Sequence, residues 1–186
     1  MKRSALVLTT VLIAMVAAVG CGESLTAPTS QQAPFTGQFG GTWSGSMLLT
    51  GVSGGECVGA DLSARAASGS AFDQGTINVA QTANNVSAVV RSATTGLSCR
   101  YDGSAAFTSF ALSAVSCADS EVFFQCSNGN SRILNLVGST MTATRSGTTA
   151  TGVVTSTYNV SLVDAQNQRK PVAGLTVQHQ FTALRR

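Results

Sequence analysis

The residues with the most distinctive chemistry in this chain are its five cysteines, namely Cys21, Cys57, Cys99, Cys117 and Cys126. Cys21 comes shortly after a basic head, Lys2-Arg3, and 15 uncharged residues at positions 5–19. This is the pattern of an export signal, and it is shorter than the roughly 20 apolar residues that a permanent membrane span needs. We therefore expect the chain to leave the cytoplasm, so that its remaining cysteines meet an oxidising compartment.

The sequence Ala18-Val19-Gly20-Cys21 resembles the lipobox of bacterial lipoprotein precursors, in which small residues precede a cysteine that is lipidated and becomes N-terminal. The resemblance implies that residues 1–20 are a cleaved signal peptide and that acylated Cys21 anchors the protein in membrane lipid. Such an anchor is effectively permanent, because each buried methylene contributes about 0.8 kcal/mol. It also implies the bacterial cell envelope, and the outer membrane in particular, because Gly22 stands where an acidic residue often signals inner-membrane retention.

The four cysteines after Cys21 are an even number, which predicts two disulfide bonds in an exported protein. Four cysteines permit three pairings, and the sequence does not choose strictly among them. Cys117 and Cys126 are close enough in sequence to close a hairpin or loop, so we favour Cys117–Cys126 together with Cys57–Cys99. We expect no metal site, because the chain has one histidine and no Cys-x-x-Cys pair.

No group of residues in the sequence has the spacing of a catalytic site. Residues 51–55 formally match the Gly-x-Ser-x-Gly nucleophile elbow around Ser53, but no helix is predicted after them, and that mechanism needs one. His179 lies on the apolar face of a predicted strand, where it is either a core residue or a ligand contact in a cavity. The acidic residues are scattered through predicted turns. We therefore expect neither enzymatic activity nor a cofactor.

Charge and composition describe a tethered domain without a nucleic-acid partner. After the signal is removed, nine of the 11 basic residues remain beside eight acidic ones, and no basic cluster interleaves with aromatic residues. Residues 22–40 include Pro28 and Pro34 and have no sustained apolar period, which predicts a flexible tether. Phe35 and Phe39 are exceptions there, available to dock on the domain or on lipid. Residues 21–40 are thus the lipidated cysteine and tether, and residues 41–186 the folded domain.

The folded domain alternates between apolar and polar side chains with the period of a β-strand. In residues 41–50 the odd positions are apolar or small and the even positions largely polar, and similar runs recur as far as residue 183. Turn signals such as Asn128-Gly129 separate these runs at short intervals. We predict eight to ten strands in one antiparallel meander, and we interpret the alanine-rich residues 60–67 as a strand in preference to a helical turn.

Gly-Thr-Trp at residues 41–43 opens the first predicted strand and resembles the Gly-x-Trp that begins the barrel of calycins, the lipocalins and avidins. The resemblance implies a closed barrel, which we favour over a β-sandwich, with Arg185 or Arg186 packed over Trp43. Alternatively, Trp43 plugs one end of any β core. In a barrel, Trp43, Tyr158 and His179 are candidates to line an interior cavity.

These observations predict a membrane-anchored lipoprotein whose biochemical role the sequence leaves open between two classes. The first is a non-enzymatic binding module for a small apolar ligand or a surface partner, which rests on analogy of fold. The alternative is a structural or interaction protein of the envelope with a filled core and no ligand. Small inward side chains would leave space for a ligand in an eight-stranded barrel, whereas in a sandwich they would only let the sheets approach.

Overall fold

The computed structural model describes residues 38–69, 71–93, 97–118, 120–163 and 168–186, apart from the side chains of residues 71–73. The predicted signal peptide, the lipidation site Cys21 and the tether through residue 37 lie outside these residues and stay predictions. The described residues form nine strands and one helix, in this order: β1 (Gly41–Gly54), α1 (Glu56–Ala67), β2 (Ala71–Thr82), β3 (Asn85–Ser92), β4 (Ser98–Ala105), β5 (Ser109–Ala118), β6 (Glu121–Gln125), β7 (Ser131–Ser146), β8 (Thr149–Val163) and β9 (Arg169–Arg185).

The strands form a closed antiparallel barrel. Their order is β5-β4-β3-β2-β1-β9-β8-β7-β6, and an additional pairing between β5 and β7 joins the two ends of the ring. Eight strands therefore complete the barrel, while β6 is an outer ninth strand. The predicted all-β fold, its antiparallel meander and its closed barrel are confirmed, and the strand number falls within the predicted range.

Strands β5 and β6 share one edge of β7, one after the other. Residues 109–113 of β5 pair with residues 140–144 of β7, and residues 121–125 of β6 pair with residues 131–135 of β7. After Ser113, β5 no longer pairs with β7, and pairing with β7 begins again in β6. Just before β6, the carbonyl oxygen of Ser120 accepts a hydrogen bond from the backbone N–H of Leu136. The half of β5 that has left β7 still pairs with β4. At this point of the wall two strands, β5 and β6, therefore share one edge of β7, whereas elsewhere in the barrel each strand edge pairs with a single neighbour.

The prediction of a strand at residues 60–67 is wrong, because this segment belongs to α1. Val58, Leu62 and Ala66 recur every four residues, which is the spacing of one helix face. Val58 and Leu62 are buried against the barrel, and Ala66 packs beside them. Gly55 precedes the helix with φ +81°, a left-handed conformation that glycine adopts without steric cost. The helix therefore folds back over the end of the barrel where β1 finishes.

The opposite end of the barrel, where β1 begins, is closed by aromatic side chains. Phe39 is 1% exposed and packs edge-on against Phe110 with ring centroids 5.1 Å apart, so it belongs to the packed barrel and not to the tether. The indole N–H of Trp43 donates to the carbonyl oxygen of Phe39 at 2.8 Å. The guanidinium of Arg185 lies 6.0 Å from the centre of the Trp43 ring, as the calycin resemblance implied. We call this the closed end.

Two disulfides are present, as predicted, but their predicted pairing is wrong. Cys57 at the start of α1 bonds to Cys126, which follows β6, and Cys99 bonds to Cys117. Cys99 and Cys117 are direct register partners on β4 and β5. Cys117 and Cys126 do not meet, because β6 runs along β7 between them and carries Cys126 to the helix. One disulfide therefore joins two neighbouring strands, and the other fastens α1 to the wall.

Candidate ligand-binding cavity

A cavity of about 130 Å³ lies inside the barrel between its middle and α1. Side chains from β1, β3, β4, β6, β7, β8, β9 and α1 line it, and most of them are apolar, for example Met47, Val90, Leu134, Val154 and Val177. These residues point inward because alternate residues of a strand face the interior of a barrel. Two larger hollows, of about 520 and 490 Å³, are open grooves on the outer face of the strands. The interior cavity is less open to solvent and more apolar than either groove.

The helix α1 and the strand β6 cover the cavity at the end opposite Trp43. Leu62 reaches the cavity from α1, and Val122 and Phe124 reach it from β6. The guanidinium of Arg65 lies 5.8 Å from the ring centre of Phe124, so the helix also contacts β6 on this side. We call this end the mouth. Any ligand that enters here must pass α1 or the neighbouring part of the wall.

Besides apolar packing and the contact of Arg65 with Phe124, three contacts hold α1 over the mouth. The first is the Cys57–Cys126 disulfide. The second joins Asp61 to Ser127, whose backbone N–H and hydroxyl each donate to the Asp61 carboxylate at 2.7 Å. These hydrogen bonds hold the pKa of Asp61 below its usual value, the backbone bond most strongly. The third is an ion pair at 3.1 Å between exposed Glu56 and buried Arg132. The helix is therefore attached covalently at its first turn and by hydrogen bonds one turn later.

Four hydroxyl groups form a connected chain at the cavity, and we call them the hydroxyl chain: Tyr101, Ser156 and Tyr158, which line the cavity, and Ser139, which lies behind its wall. The Tyr101 hydroxyl donates to Ser139 Oγ at 2.9 Å, and Ser139 Oγ lies 3.0 Å from Ser156 Oγ. Ser156 is also hydrogen-bonded to Tyr158. Burial raises the pKa of both tyrosines above the ordinary value, since a phenolate is poorly solvated there. Both hydroxyls therefore remain protonated at neutral pH.

Two of the three residues predicted to line a cavity do so, and the third lies elsewhere. Tyr158 and His179 face the interior and contact the cavity, and His179 is 8% exposed. Trp43 is buried at the closed end, where its ring fills the space between the strands and meets Arg185. Trp43 therefore acts as a plug and not as a cavity wall, which is the alternative that the sequence left open.

The hydroxyl chain is the part of the site that sequence reasoning missed. Ser156 was detectable, because it lies between Val154 and Tyr158 on the inward face of β8. Ser139 was not, because an irregularity in β7 between Leu136 and Gly138 changes which positions face inward. Before it the even-numbered residues face inward, and after it the odd-numbered ones do. A period of two read from the sequence cannot cross such a bulge.

The candidate nucleophile Ser53 is not part of this site. A helix does follow residues 51–55, contrary to the sequence prediction, so strand, turn and helix are all present. Ser53 is exposed, however, and pairs in register with Thr176, whereas His179 lies inside the barrel beside Leu49. Among the residues that the structure describes, no three His, Cys, Asp or Glu side chains are grouped as metal ligands. The described helix is too short and too polar to cross a membrane.

Comparisons with known proteins add no family to these observations. No protein-family model, no curated protein and no solved structure matches this chain.

Proposed function

We propose that this protein is a non-enzymatic binding module that takes one small apolar ligand into the barrel cavity, at the surface of a bacterial membrane. The observation that carries the proposal is the interior cavity of about 130 Å³ with a largely apolar wall and a few converging polar groups. Ligand sites typically combine these features. An apolar protein cavity of about 150 Å³ is known to stay dry and to bind benzene. The expected ligand is therefore the size of a single ring or a short aliphatic chain.

The cavity also argues against the alternative of an envelope protein with a filled core. Protein interiors are packed with few voids larger than a water molecule. At about 24 cal/mol for each Å³, a void of about 130 Å³ lowers stability by roughly 3 kcal/mol relative to a filled core. Two or three larger side chains among the lining residues would remove that loss. A protein that binds no ligand would be more stable with the void filled, so the presence of the void favours the binding module.

The proposed location rests on the lipobox at Ala18-Val19-Gly20-Cys21 and on the compartment that disulfides need. We propose that acylated Cys21 holds the protein in the cell envelope, in the outer membrane where the cell has one. The calycin resemblance is part of the same proposal, supported by the closed barrel and by Arg185 over Trp43. Replacing Cys21→Ala should abolish fatty-acid labelling and membrane partitioning, and unchanged labelling would reject the anchor.

A thermal-shift measurement with toluene tests the binding module. The protein is the mature chain from residue 21 with Cys21→Ser, so that no acyl group is attached. At a free concentration ten times its Kd, toluene should add about 1.4 kcal/mol to the stability. For a domain of this size that raises Tm by roughly 3–6 °C.

Two neighbouring valines of β8 provide the matched variants for this test. Val154 faces the cavity, whereas Val153 is 39% exposed on the outer face. Val154→Phe should fill the cavity and abolish the toluene shift, and Val153→Phe should keep it. A shift that survives Val154→Phe, or no shift in the unmodified barrel at any soluble concentration, would reject the proposal in favour of the filled-core alternative.

A further inference from the structure

We infer that the ligand is a neutral molecule with one oxygen that accepts a hydrogen bond, and that Tyr158 is the residue that recognises this oxygen. The inference rests on the proposed function, because it names the chemical class of the ligand in the same cavity. It is carried by the hydroxyl chain and by the absence of charge among the described residues that line the cavity.

A count of protons shows why the hydroxyl chain needs an acceptor from outside itself. Each hydroxyl has one proton to donate and accepts up to two hydrogen bonds. The four hydroxyls of the chain are joined by three hydrogen bonds. Three protons are therefore used inside the chain, and one is left over. This proton must be donated to a group that is not one of the four.

The left-over proton is best placed on Tyr158. The Tyr101 proton is donated to Ser139, and the bond between Ser139 and Ser156 has no fixed direction. If Ser139 is the donor in that bond, Ser156 donates to Tyr158, and the Tyr158 proton is free to point into the cavity. Donation from Ser156 to Ser139 leaves the spare proton on Ser139. Donation by both Ser139 and Tyr158 to Ser156 leaves it on Ser156, which is 7% exposed and thus more deeply buried than the partly buried Tyr158. Ser139 is 5% exposed, does not line the cavity and has only Tyr101 and Ser156 as described hydroxyl partners. A buried donor left unsatisfied there is unfavourable.

Tyr158 meets the geometric requirement for contact with a ligand. Ser92 and Tyr101 also contribute polar groups to the largely apolar wall, and Tyr158 lines it together with Ser156 and His179. The register places Val154 opposite His179 and Tyr158 opposite Leu175, so these polar groups lie on adjacent strands within a few residues of one another. A ligand oxygen at this side of the cavity leaves the rest of the molecule against apolar side chains.

The charges around the cavity explain why the ligand should be neutral. Among the described residues that line it there is no Asp, Glu, Lys or Arg. Arg132, the nearest buried cation along β7, is paired with Glu56 at the mouth. Burying a charged group without a partner is far more costly than burying a neutral carbonyl that receives a hydrogen bond. Carboxylates and ammonium compounds of the same size should therefore be excluded.

Cyclohexanone and methylenecyclohexane are suitable probes, because they have nearly the same shape and size. They differ only in that the acceptor oxygen of cyclohexanone is a methylene carbon in methylenecyclohexane. We measure the Kd of both for the mature chain and for its variants. In the unmodified protein, cyclohexanone should bind at least as tightly as methylenecyclohexane, although water solvates the ketone better. Tyr158→Phe removes only the hydroxyl. It should raise the Kd of cyclohexanone at least about fivefold, whereas the Kd of methylenecyclohexane should change less than about twofold.

Thr157→Val is the matched control, because Thr157 precedes Tyr158 on β8 and its side chain is exposed outside the barrel. It should leave both Kd values unchanged. Equal weakening of the two probes by Tyr158→Phe would show a structural role and overturn the inference. If methylenecyclohexane binds and cyclohexanone does not, the inference falls while the proposed function stands. If neither compound binds the unmodified protein although toluene does, the inference falls while the proposed function stands; if toluene does not bind either, the proposed function itself fails.

Discussion

The two tyrosines link the stability of the barrel to alkaline pH. Tyr101 and Tyr158 are the only tyrosines of the chain, and burial raises the pKa of both above the ordinary value near 10. Above pH 10 the unfolded chain releases these protons more readily than the folded protein does. The folded state then holds more protons than the unfolded state, so the free energy of unfolding falls as pH rises from about 10 towards the raised pKa values.

Alkaline titration tests this prediction. Urea unfolding at pH 9 and at pH 11 should give a lower free energy of unfolding at pH 11, and the absorbance of tyrosinate should appear late and together with unfolding. The double variant Tyr101→Phe/Tyr158→Phe should lose less stability between these pH values than the unmodified protein. Ionisation of both tyrosines near pH 10 in the folded barrel would contradict the prediction.

Individual inward residues were predictable wherever a strand keeps a regular period. Tyr158 and His179 lie on uninterrupted stretches of β8 and β9, and the structure places both in the cavity wall. Trp43 also faces inward, but the sequence does not say how far along the barrel axis a residue lies. The Trp43 ring donates a hydrogen bond to Phe39, which was predicted to dock on the domain or on lipid and which packs into the closed end. Position along the axis thus depends on contacts between segments far apart in sequence.

The helix α1, which covers the mouth, is the element whose secondary structure was predicted wrongly. Val58, Leu62 and Ala66 have helical spacing, but the segment is short and alanine-rich, so the pattern was weak. The disulfide pairing failed for a related reason. Cys57 lies in the first turn of the helix, which brings it beside Cys126, the residue that follows β6. A tertiary contact between a helix and an outer strand leaves no periodic trace in the sequence.

The two disulfides should therefore contribute differently to stability and to the mouth. In the chain-entropy model, closing a separation of 69 residues contributes about 4.4 kcal/mol, and closing one of 18 residues about 3.2 kcal/mol. Cys57→Ala/Cys126→Ala should thus cost about 1 kcal/mol more in urea unfolding than Cys99→Ala/Cys117→Ala. It should also release α1 locally, because the described helix is then held to the wall by the non-covalent contacts of Glu56, Asp61 and Arg65 and by apolar packing.

Amide hydrogen exchange separates these two effects. In the Cys57→Ala/Cys126→Ala variant, exchange should accelerate in residues 56–67 well beyond the rest of the barrel. The Cys99→Ala/Cys117→Ala variant is the control, because its disulfide joins β4 to β5 and does not touch the helix. Equal acceleration of α1 in both variants would show that apolar packing, and not the disulfide, holds the helix over the mouth.

The two ends of the barrel differ, and we propose that a ligand enters at the mouth. The described chain enters at Gln38 and Phe39 beside the closed end, and β1 then runs the length of the wall to α1. The antiparallel meander and the presence of two disulfides follow from alternation, turns and cysteine number, so they were predictable, whereas the closure was implied only by the calycin resemblance. The cavity was not, because its volume depends on how the side chains of eight elements meet. The sequence shows which inward residues are small, but it does not show how much space remains between them after packing.

Export and folding should depend on each other in this protein. The two disulfides together contribute roughly 7–8 kcal/mol in the chain-entropy model, comparable with the whole stability of about 5–15 kcal/mol that a typical domain has. The cavity removes some stability that a filled core would supply. A chain without residues 2–20 should stay in the cytoplasm, where thiols remain reduced. We therefore expect it to be largely unfolded or aggregated there.

Oxidative refolding of this leaderless chain is the decisive measurement. Refolded with a glutathione redox buffer, it should form Cys57–Cys126 and Cys99–Cys117, as peptide mapping without reduction can show, and give a cooperative urea transition. Adding a strong reductant should lower the transition midpoint sharply or abolish the transition. The exported Cys21→Ala chain serves as control, since it lacks the acylated cysteine but keeps the basic and apolar parts of the export signal. A reduced chain with the same midpoint as the oxidised one would mean that the barrel needs no disulfides, and the link between its compartment and its fold would be lost.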